Sequence, residues 1–154
     1  MDSAQFKTAS LIVRLGNVVA WLRNQRMQQR GITSTQSDVI RYLLKHQDQP
    51  VAAGDLMAQL GLSPSTMAGI LKRLELKGLI VRRPDPRDAR RSMVDLTDQG
   101  RALEDYLKHT AAQTEEVLLR GMTPQQQEAF CQLLALALDN ADAVKKAGGF
   151  PDHD

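Results

Sequence analysis

The chain has 154 residues, of which 42% are hydrophobic and 25% charged, and its formal net charge is +2. This length suits a single domain, residues 1–154, with a sizeable core, and no apolar run reaches the ~18 residues that a membrane span requires. Asp2 stands where a signal peptide would be basic, and Cys131 is the single cysteine, so we expect a cytoplasmic protein with no internal disulfide and no membrane contact.

The first third of the chain predicts two amphipathic helices. Residues 5–29 carry apolar side chains at helical spacing and are followed by Gly31, a residue type that commonly ends helices. A second helix is expected to begin at Thr33 or Ser34 and to run to about His46. The side chains expected on its buried face are Gln36, Val39, Ile40, Leu43 and Leu44.

Residues 51–80 predict a helix–turn–helix unit. A short helix over 52–60 ends at Gly61, and Ser63 caps a new helix that has Pro64 at its first position and stops at Gly78. The core side of this second helix is predicted to comprise Met67, Ile70, Leu71 and Leu74, at positions i, i+3, i+4 and i+7.

The opposite side of the same helix indicates DNA binding. It carries small hydroxyl side chains at its start, a glycine that permits close approach, and then two cations. These residues are Ser65, Thr66, Gly69, Lys72 and Arg73. Such a face is typical of a helix that lies in a major groove with its N-terminal part at the base edges.

A β-hairpin with an arginine-rich tip follows directly. Residues 79–83 and 92–96 alternate in the manner of strands, and Pro, Asp and Arg form the tip. Three arginines, Arg87, Arg90 and Arg91, are interleaved there with Asp85 and Asp88. Residues 61–94 hold eight basic and three acidic side chains, and a cationic tip of this kind suits a DNA minor groove. Phosphate contacts are expected from Lys77, Arg82 and Arg83.

Two further helices complete a mainly α chain with one small hairpin. Thr97 can cap a helix running to Arg120, and residues 123–126 predict a capping box that opens another helix. The apolar stripe of this last helix comprises Phe130, Leu133, Leu134, Ala137, Leu138, Ala141 and Val144. We interpret residues 34–97 as a winged helix–turn–helix lobe, and residues 5–30 and 98–146 as flanking dimerisation helices.

The sequence of residues 62–100, LSPSTMAGILKRLELKGLIVRRPDPRDARRSMVDLTDQG, resembles the multiple antibiotic resistance regulator (MarR) family. The most specific elements are Asp88-Ala89-Arg90 in the wing and Leu96-Thr97 before Gly100. The resemblance implies a homodimeric transcription regulator, typically a ligand-responsive repressor, that binds pseudo-palindromic double-stranded DNA. It also implies that Arg90 is the wing-tip arginine and Asp88 the aspartate that orients it, although Asp85 and Arg87 form a similar pair, so that the arginine that inserts deepest stays open.

A small aromatic anion is the effector that the family resemblance suggests. Candidate residues, which offer aromatic walls and polar or cationic donors, are Arg14, Trp21, Tyr42, His46 and Tyr106. We expect no cofactor, no metal and no catalytic centre, because no phosphate loop, nucleophile elbow or clustered ligands occur in the sequence.

Two alternatives remain beside the DNA-binding interpretation. One is a winged-helix module that contacts an acidic protein, and the other is a thiol redox sensor working through Cys131. The second is disfavoured because Cys131 lies beside the apolar stripe of the last helix, where a free cysteine is usually buried and inert.

Overall fold

A computed structural model describes residues 7–150 of the chain. Its elements, in chain order, are α1 (Lys7–Gln28), α2 (Ser34–Lys45), α3 (Ala53–Leu60), α4 (Pro64–Leu76), β1 (Ile80–Pro84), β2 (Ser92–Leu96), α5 (Asp98–Arg101), α6 (Glu104–Leu119) and α7 (Pro124–Lys146). Two compact units are present, with their boundary between residues 114 and 115, and the single-domain expectation stays a prediction. No helix within residues 7–150 is long and apolar enough to cross a membrane.

The core of the first unit is built mainly from α2, α3, α4 and the hairpin. Val39 and Ile40 of α2, Leu56 of α3 and Leu74 of α4 are all fully buried. The predicted inner face of α4 is confirmed, because all four of its apolar residues are buried. The predicted face of α2 is confirmed for Gln36, Val39, Ile40 and Leu43, whereas Leu44 is half-buried.

The helix boundaries follow the capping residues. The Thr33 hydroxyl accepts from the Gln36 N–H, and the Gln36 side chain accepts in return from the Thr33 N–H at 3.1 Å, which is a capping box. Ser63 caps α4 by accepting from the Thr66 N–H at 3.3 Å. Gly61, which ends α3, has a φ of +63°, a left-handed backbone conformation that residues with a Cβ rarely adopt.

The hairpin pairs β1 with β2 in antiparallel register from Ile80↔Leu96 to Pro84↔Ser92. β1 begins one residue later than predicted, because the Leu79 N–H donates to the Leu74 carbonyl at 3.0 Å and so closes the end of α4. The far edge of β2 is also paired, since the Val94 N–H donates to Val51 at 2.9 Å. The base of the wing is therefore tied to the segment that precedes α3.

The long helix predicted from residue 98 to 120 is wrong in its continuity. Thr97 caps α5 as expected, since its hydroxyl accepts from the Gly100 N–H at 3.1 Å and donates to the Gly78 carbonyl at 2.6 Å. The helix then stops. The Leu103 N–H donates to the Gly100 carbonyl, three residues earlier, and this turn leads into α6. Gly100 lies so close to the Leu79 carbonyl that a Cβ would stand 2.1 Å from its oxygen.

In the second unit, α7 opens with the predicted capping box of Thr123 and Gln126. None of its side chains is fully buried. The predicted apolar stripe is exposed at Leu133, Leu134 and Leu138 and half-buried at Phe130 and Val144. The spacing of the stripe therefore predicts the helix correctly but does not correspond to a buried face.

Candidate nucleic-acid interface

The outward side of α4 presents the five residues that the sequence analysis predicts to contact DNA. Ser65, Thr66, Lys72 and Arg73 are exposed, and Gly69 is half-buried among them. They lie together because the opposite side of the helix packs into the core through four buried apolar side chains. The preceding α3 and the turn at Gly61 complete a helix–turn–helix.

Local contacts arrange the polar side chains on this surface. The Ser63 hydroxyl donates to the Thr66 hydroxyl at 2.8 Å and lies 3.2 Å from the Ser65 hydroxyl. Arg73 folds back along the helix, so that one of its terminal nitrogens lies 3.4 Å from the position that a Cβ on Gly69 would occupy. Gly69 thus leaves the guanidinium room to lie close to the helix backbone.

The wing tip is a closed loop held by two aspartates. The Asp85 N–H donates to the Arg91 carbonyl at 2.9 Å, and the Asp85 carboxylate accepts from the Arg87 N–H at 2.9 Å. The Asp88 carboxylate accepts from the Arg90 N–H at 3.0 Å. Both aspartates therefore fix the backbone of an arginine two residues further on, as in Asx turns.

The pairing of the wing side chains differs from the sequence-based expectation. The carboxylate of Asp85 lies 3.7 Å from the Arg91 guanidinium, so Arg91 and not Arg87 is its ionic partner. Asp88 binds the backbone of Arg90 and no part of its guanidinium. Across residues 7–150, no ion pair within 4.0 Å involves Arg87 or Arg90. These two guanidinium groups are the wing cations left without an internal carboxylate.

The three cations expected to contact phosphate are engaged within the protein. The Arg82 guanidinium binds Glu75 at 2.6 Å, and Arg83 binds Asp95. The hydrogen bond from Arg82 holds the pKa of Glu75 below its usual value of 4.5. Lys77 donates to the Gly31 carbonyl and to the Gln36 side chain, so it ties the end of α4 to the segment between α1 and α2.

Within residues 7–150, no hydrogen bond, ion pair or ring contact joins all five residues predicted to bind a small anion. Tyr42 and His46 stack with ring centroids 4.1 Å apart, and the His46 Nδ1 lies 2.8 Å from the Tyr42 carbonyl. Tyr106 donates its hydroxyl to the Arg26 carbonyl, and its ring lies 4.5 Å below the Arg30 guanidinium. Arg14 and Trp21 are exposed on α1.

A different set of residues forms a cavity between α2 and α6. It has a volume of about 330 Å³. Its lining combines apolar and charged side chains, and it comprises Arg41, Leu44, Lys45, Glu104, Leu107, Lys108 and Ala111. None of the five predicted residues belongs to it. Sequence analysis missed this cavity, although Arg41 and Lys45 are four residues apart on α2 and so share one of its sides.

Arg41 is the unusual residue in this cavity. Its Nε is buried and has no hydrogen-bond partner in the part of the chain that the structure describes. Burial lowers the pKa of Arg41, and the nearby Arg23 lowers it further, while Asp38 opposes the shift. In the same lining, Lys108 and Glu104 pair at 2.7 Å. The cavity therefore holds more positive than negative charge.

Two further features bear on alternative functions. Cys131 is exposed, so the expectation that it is buried beside the apolar stripe of α7 is wrong. The neighbouring leucines of that stripe are themselves exposed. Within residues 7–150, no group of three or more His, Cys, Asp and Glu side chains is arranged to hold a metal ion.

The helix–turn–helix followed by a cationic hairpin defines a winged helix–turn–helix, a class of DNA-binding protein. The MarR family model matches residues 30–91. The HTH-type transcriptional repressor NicR of Pseudomonas putida is 30% identical over 91 residues, which is 59% of this chain and 58% of that relative.

Solved structures extend the similarity over nearly the whole chain. S. aureus MepR in complex with DNA is 25% identical with a TM-score of 0.80, covering 86% of this chain and 96% of that one. The Streptomyces coelicolor regulator PcaV in complex with its natural ligand is 28% identical with a TM-score of 0.76, covering 92% and 99%. The family model, this relative and these structures support a MarR-family winged-helix transcription regulator. The chain is a DNA-binding regulator and not an enzyme.

Proposed function

We propose that two copies of the chain bind one pseudo-palindromic operator, each with α4 in the major groove and its wing in the adjacent minor groove. The observation that carries this proposal is the pair of guanidinium groups at the wing tip, Arg87 and Arg90, that lack internal carboxylate partners. A guanidinium is permanently charged and weakly hydrated, and a narrow minor groove attracts it. Arg91 is assigned a supporting role instead, because Asp85 already engages it.

Dimerisation is part of the proposal because one lobe presents a single recognition helix. Two half-sites one helical turn apart double the contacts with DNA. Both ends of the chain supply apolar surface for a partner copy. On α1, Leu11, Val18 and Trp21 are exposed, and on α7 Leu133 and Leu138 are 65% and 62% exposed.

The test of the proposed wing role begins with selection of bound duplexes from a random DNA pool. Arg90→Ala is expected to weaken operator binding by about 1–3 kcal/mol, the cost of losing one specific contact. Arg101→Ala, which removes an exposed arginine of α5 outside the wing, is the matched control. Unchanged affinity of the folded Arg90→Ala protein contradicts the assignment. Equal affinity of the wild type for operator and scrambled DNA favours a protein-interaction module instead.

We also propose that the chain is a repressor released by a small organic acid bound in the cavity between α2 and α6. Support comes from the repressor NicR and from PcaV, which was solved with its natural ligand. In this chain, the guanidinium of Arg41, whose Nε has no partner within residues 7–150, offers a positive charge to a carboxylate, and Leu44 and Leu107 offer an apolar wall to a ring. A cavity of this volume falls within the usual range for small ligands.

Calorimetric titration with benzoate and with hydroxybenzoates tests the effector site. Arg41→Met is expected to weaken binding about tenfold or more, because a charge-assisted hydrogen bond is lost. Arg14→Met is the comparison, since Arg14 belongs to the set predicted from the sequence. Loss of binding in Arg14→Met alone would place the acid at that set, and an absence of binding by all of these acids in the wild type contradicts this effector class.

A further inference from the structure

On the wing, three arginines are held by carboxylates of the same chain. The pairs are Arg82–Glu75, Arg83–Asp95 and Arg91–Asp85. We propose that these carboxylates withhold the three arginines from DNA phosphates and thereby limit the sequence-independent affinity of the protein for DNA. The proposal rests on the DNA-binding mode given above and adds a function for acidic residues that the mode does not use.

The Arg82–Glu75 pair, like Arg83–Asp95, joins two guanidinium nitrogens to one carboxylate oxygen. Two nitrogens of the Arg82 guanidinium donate to one oxygen of Glu75, at 3.1 and 2.6 Å. Glu75 belongs to the last turn of α4 and Arg82 to β1, so the pair bridges the two elements that contact DNA. The side chains are 32% and 39% exposed, so a phosphate approaching this surface can reach the arginine.

Each pair removes one cation from the set that can contact phosphate. An exposed ion pair is weak, so a phosphate could displace the carboxylate. The displaced carboxylate would then stay close to the same phosphate, and the repulsion between the two anions would offset the new contact. Sequence-independent affinity depends on the number of phosphates neutralised, so each internal pair lowers it.

Other cations of the proposed interface lack such partners. Across the described part of the chain, Lys72 and Arg73 on α4, and Arg87 and Arg90 at the wing tip, form no ion pair. The proposed interface thus has free cations on the outward side of α4 and at Arg87 and Arg90, and paired cations along β1 and at Arg91. This separation favours contacts that depend on sequence over contacts that do not.

Glu75→Gln in the full-length protein tests the proposal. Binding to a scrambled duplex is measured over a range of salt concentrations. The plot of log affinity against log salt is expected to steepen by about 0.9 for each protomer, the value for one additional phosphate contact. Affinity for scrambled DNA at 0.1 M salt is expected to rise about threefold or more, as the same contact implies.

Matched variants separate a freed arginine from a general gain of positive charge. Asp48→Asn removes a carboxylate that lines the cleft beside the wing with Arg83 and Arg87 but forms no ion pair within residues 7–150, and is expected to leave the slope near that of the wild type. Arg82→Gln alone is also expected to leave the slope unchanged. Adding Arg82→Gln to Glu75→Gln is expected to abolish the gain.

An unchanged slope in Glu75→Gln overturns the proposal, and so does an equal change in Asp48→Asn. Asp95→Asn, with and without Arg83→Gln, repeats the experiment on a second pair if Glu75→Gln fails to fold. A different result would contradict the proposed function: wild-type protein that binds operator and scrambled DNA with equal affinity.

Discussion

The lobe formed by α2 to β2 and the two end helices, α1 and α7, are built from similar amphipathic patterns but bury them differently. In the part of the chain that the structure describes, every fully buried apolar side chain lies between Met27 and Leu107. α1 buries only Met27, and α7 buries no side chain fully. The lobe therefore holds most of the buried core, whereas the end helices keep an apolar surface that a second copy can cover.

The largest expected effect comes from placing a charge in the exposed apolar stripe of α7. Leu133→Glu is expected to convert the proposed dimer into a monomer and to weaken operator binding about 100-fold or more, because one half-site is lost and specific binding spans several powers of ten. Analytical ultracentrifugation measures the mass, and fluorescence anisotropy measures the affinity.

The control for this variant is Leu76→Glu. Leu76 is 78% exposed on α4, so it is an accessible leucine on the lobe, and its replacement should leave the mass of the proposed dimer unchanged. A Leu133→Glu protein that remains dimeric would show that the stripe of α7 is not the dimer surface.

The same contrast explains what the sequence could predict of the fold. Caps and spacing locate α4 and α7 equally well, since Ser63 and Thr123 both act as predicted. Spacing identifies the apolar side of a helix but does not identify what packs against that side. For this reason the spacing could not predict that the apolar side of α4 is buried and that of α7 is exposed. The break after α5 was missed because it depends on Gly100 lying against Leu79, about twenty residues away in sequence.

A smaller effect is expected from substitutions that test the close packing of Gly100 against Leu79. Gly100→Ala places a Cβ against the Leu79 carbonyl, a backbone atom that cannot turn aside. We expect a loss of about 1–3 kcal/mol in the free energy of unfolding, as for other overpacked sites. Gly54→Ala in α3 meets no atom within 4 Å, and should stabilise the protein by up to ~1 kcal/mol because alanine favours helix.

Urea denaturation of the two alanine variants supplies the measurement. If Gly100→Ala is as stable as the wild type, the approach of α5 to the end of β1 is looser than the structure shows. The operator affinity of folded Gly54→Ala should equal that of the wild type, since Gly54 lies on neither the outward side of α4 nor the wing.

The candidate interface could be predicted in part for a similar physical reason. The outward residues of α4 follow from the helical period once its buried side is known, and all of them are found there. The partner of Arg91 could not be predicted, because it depends on the closure of the loop by the bond from the Asp85 N–H to the Arg91 carbonyl. The cavity at Arg41 joins α2 to α6 across some sixty residues of sequence, a distance that no local pattern spans.

The smallest expected effect concerns the bridge between α4 and the wing as the pH falls. Arg82 lowers the pKa of Glu75 in the folded protein below the usual value of 4.5. A carboxyl group with a lowered folded pKa contributes stability above its unfolded pKa, and this contribution is lost as the pH falls through the folded value. The melting temperature of the wild type should therefore exceed that of Glu75→Gln slightly at neutral pH, and the two should converge as the pH falls below 4.5. A difference that stays constant across this range would mean that the lost hydrogen-bond geometry, and not the charge of Glu75, accounts for the effect of the substitution.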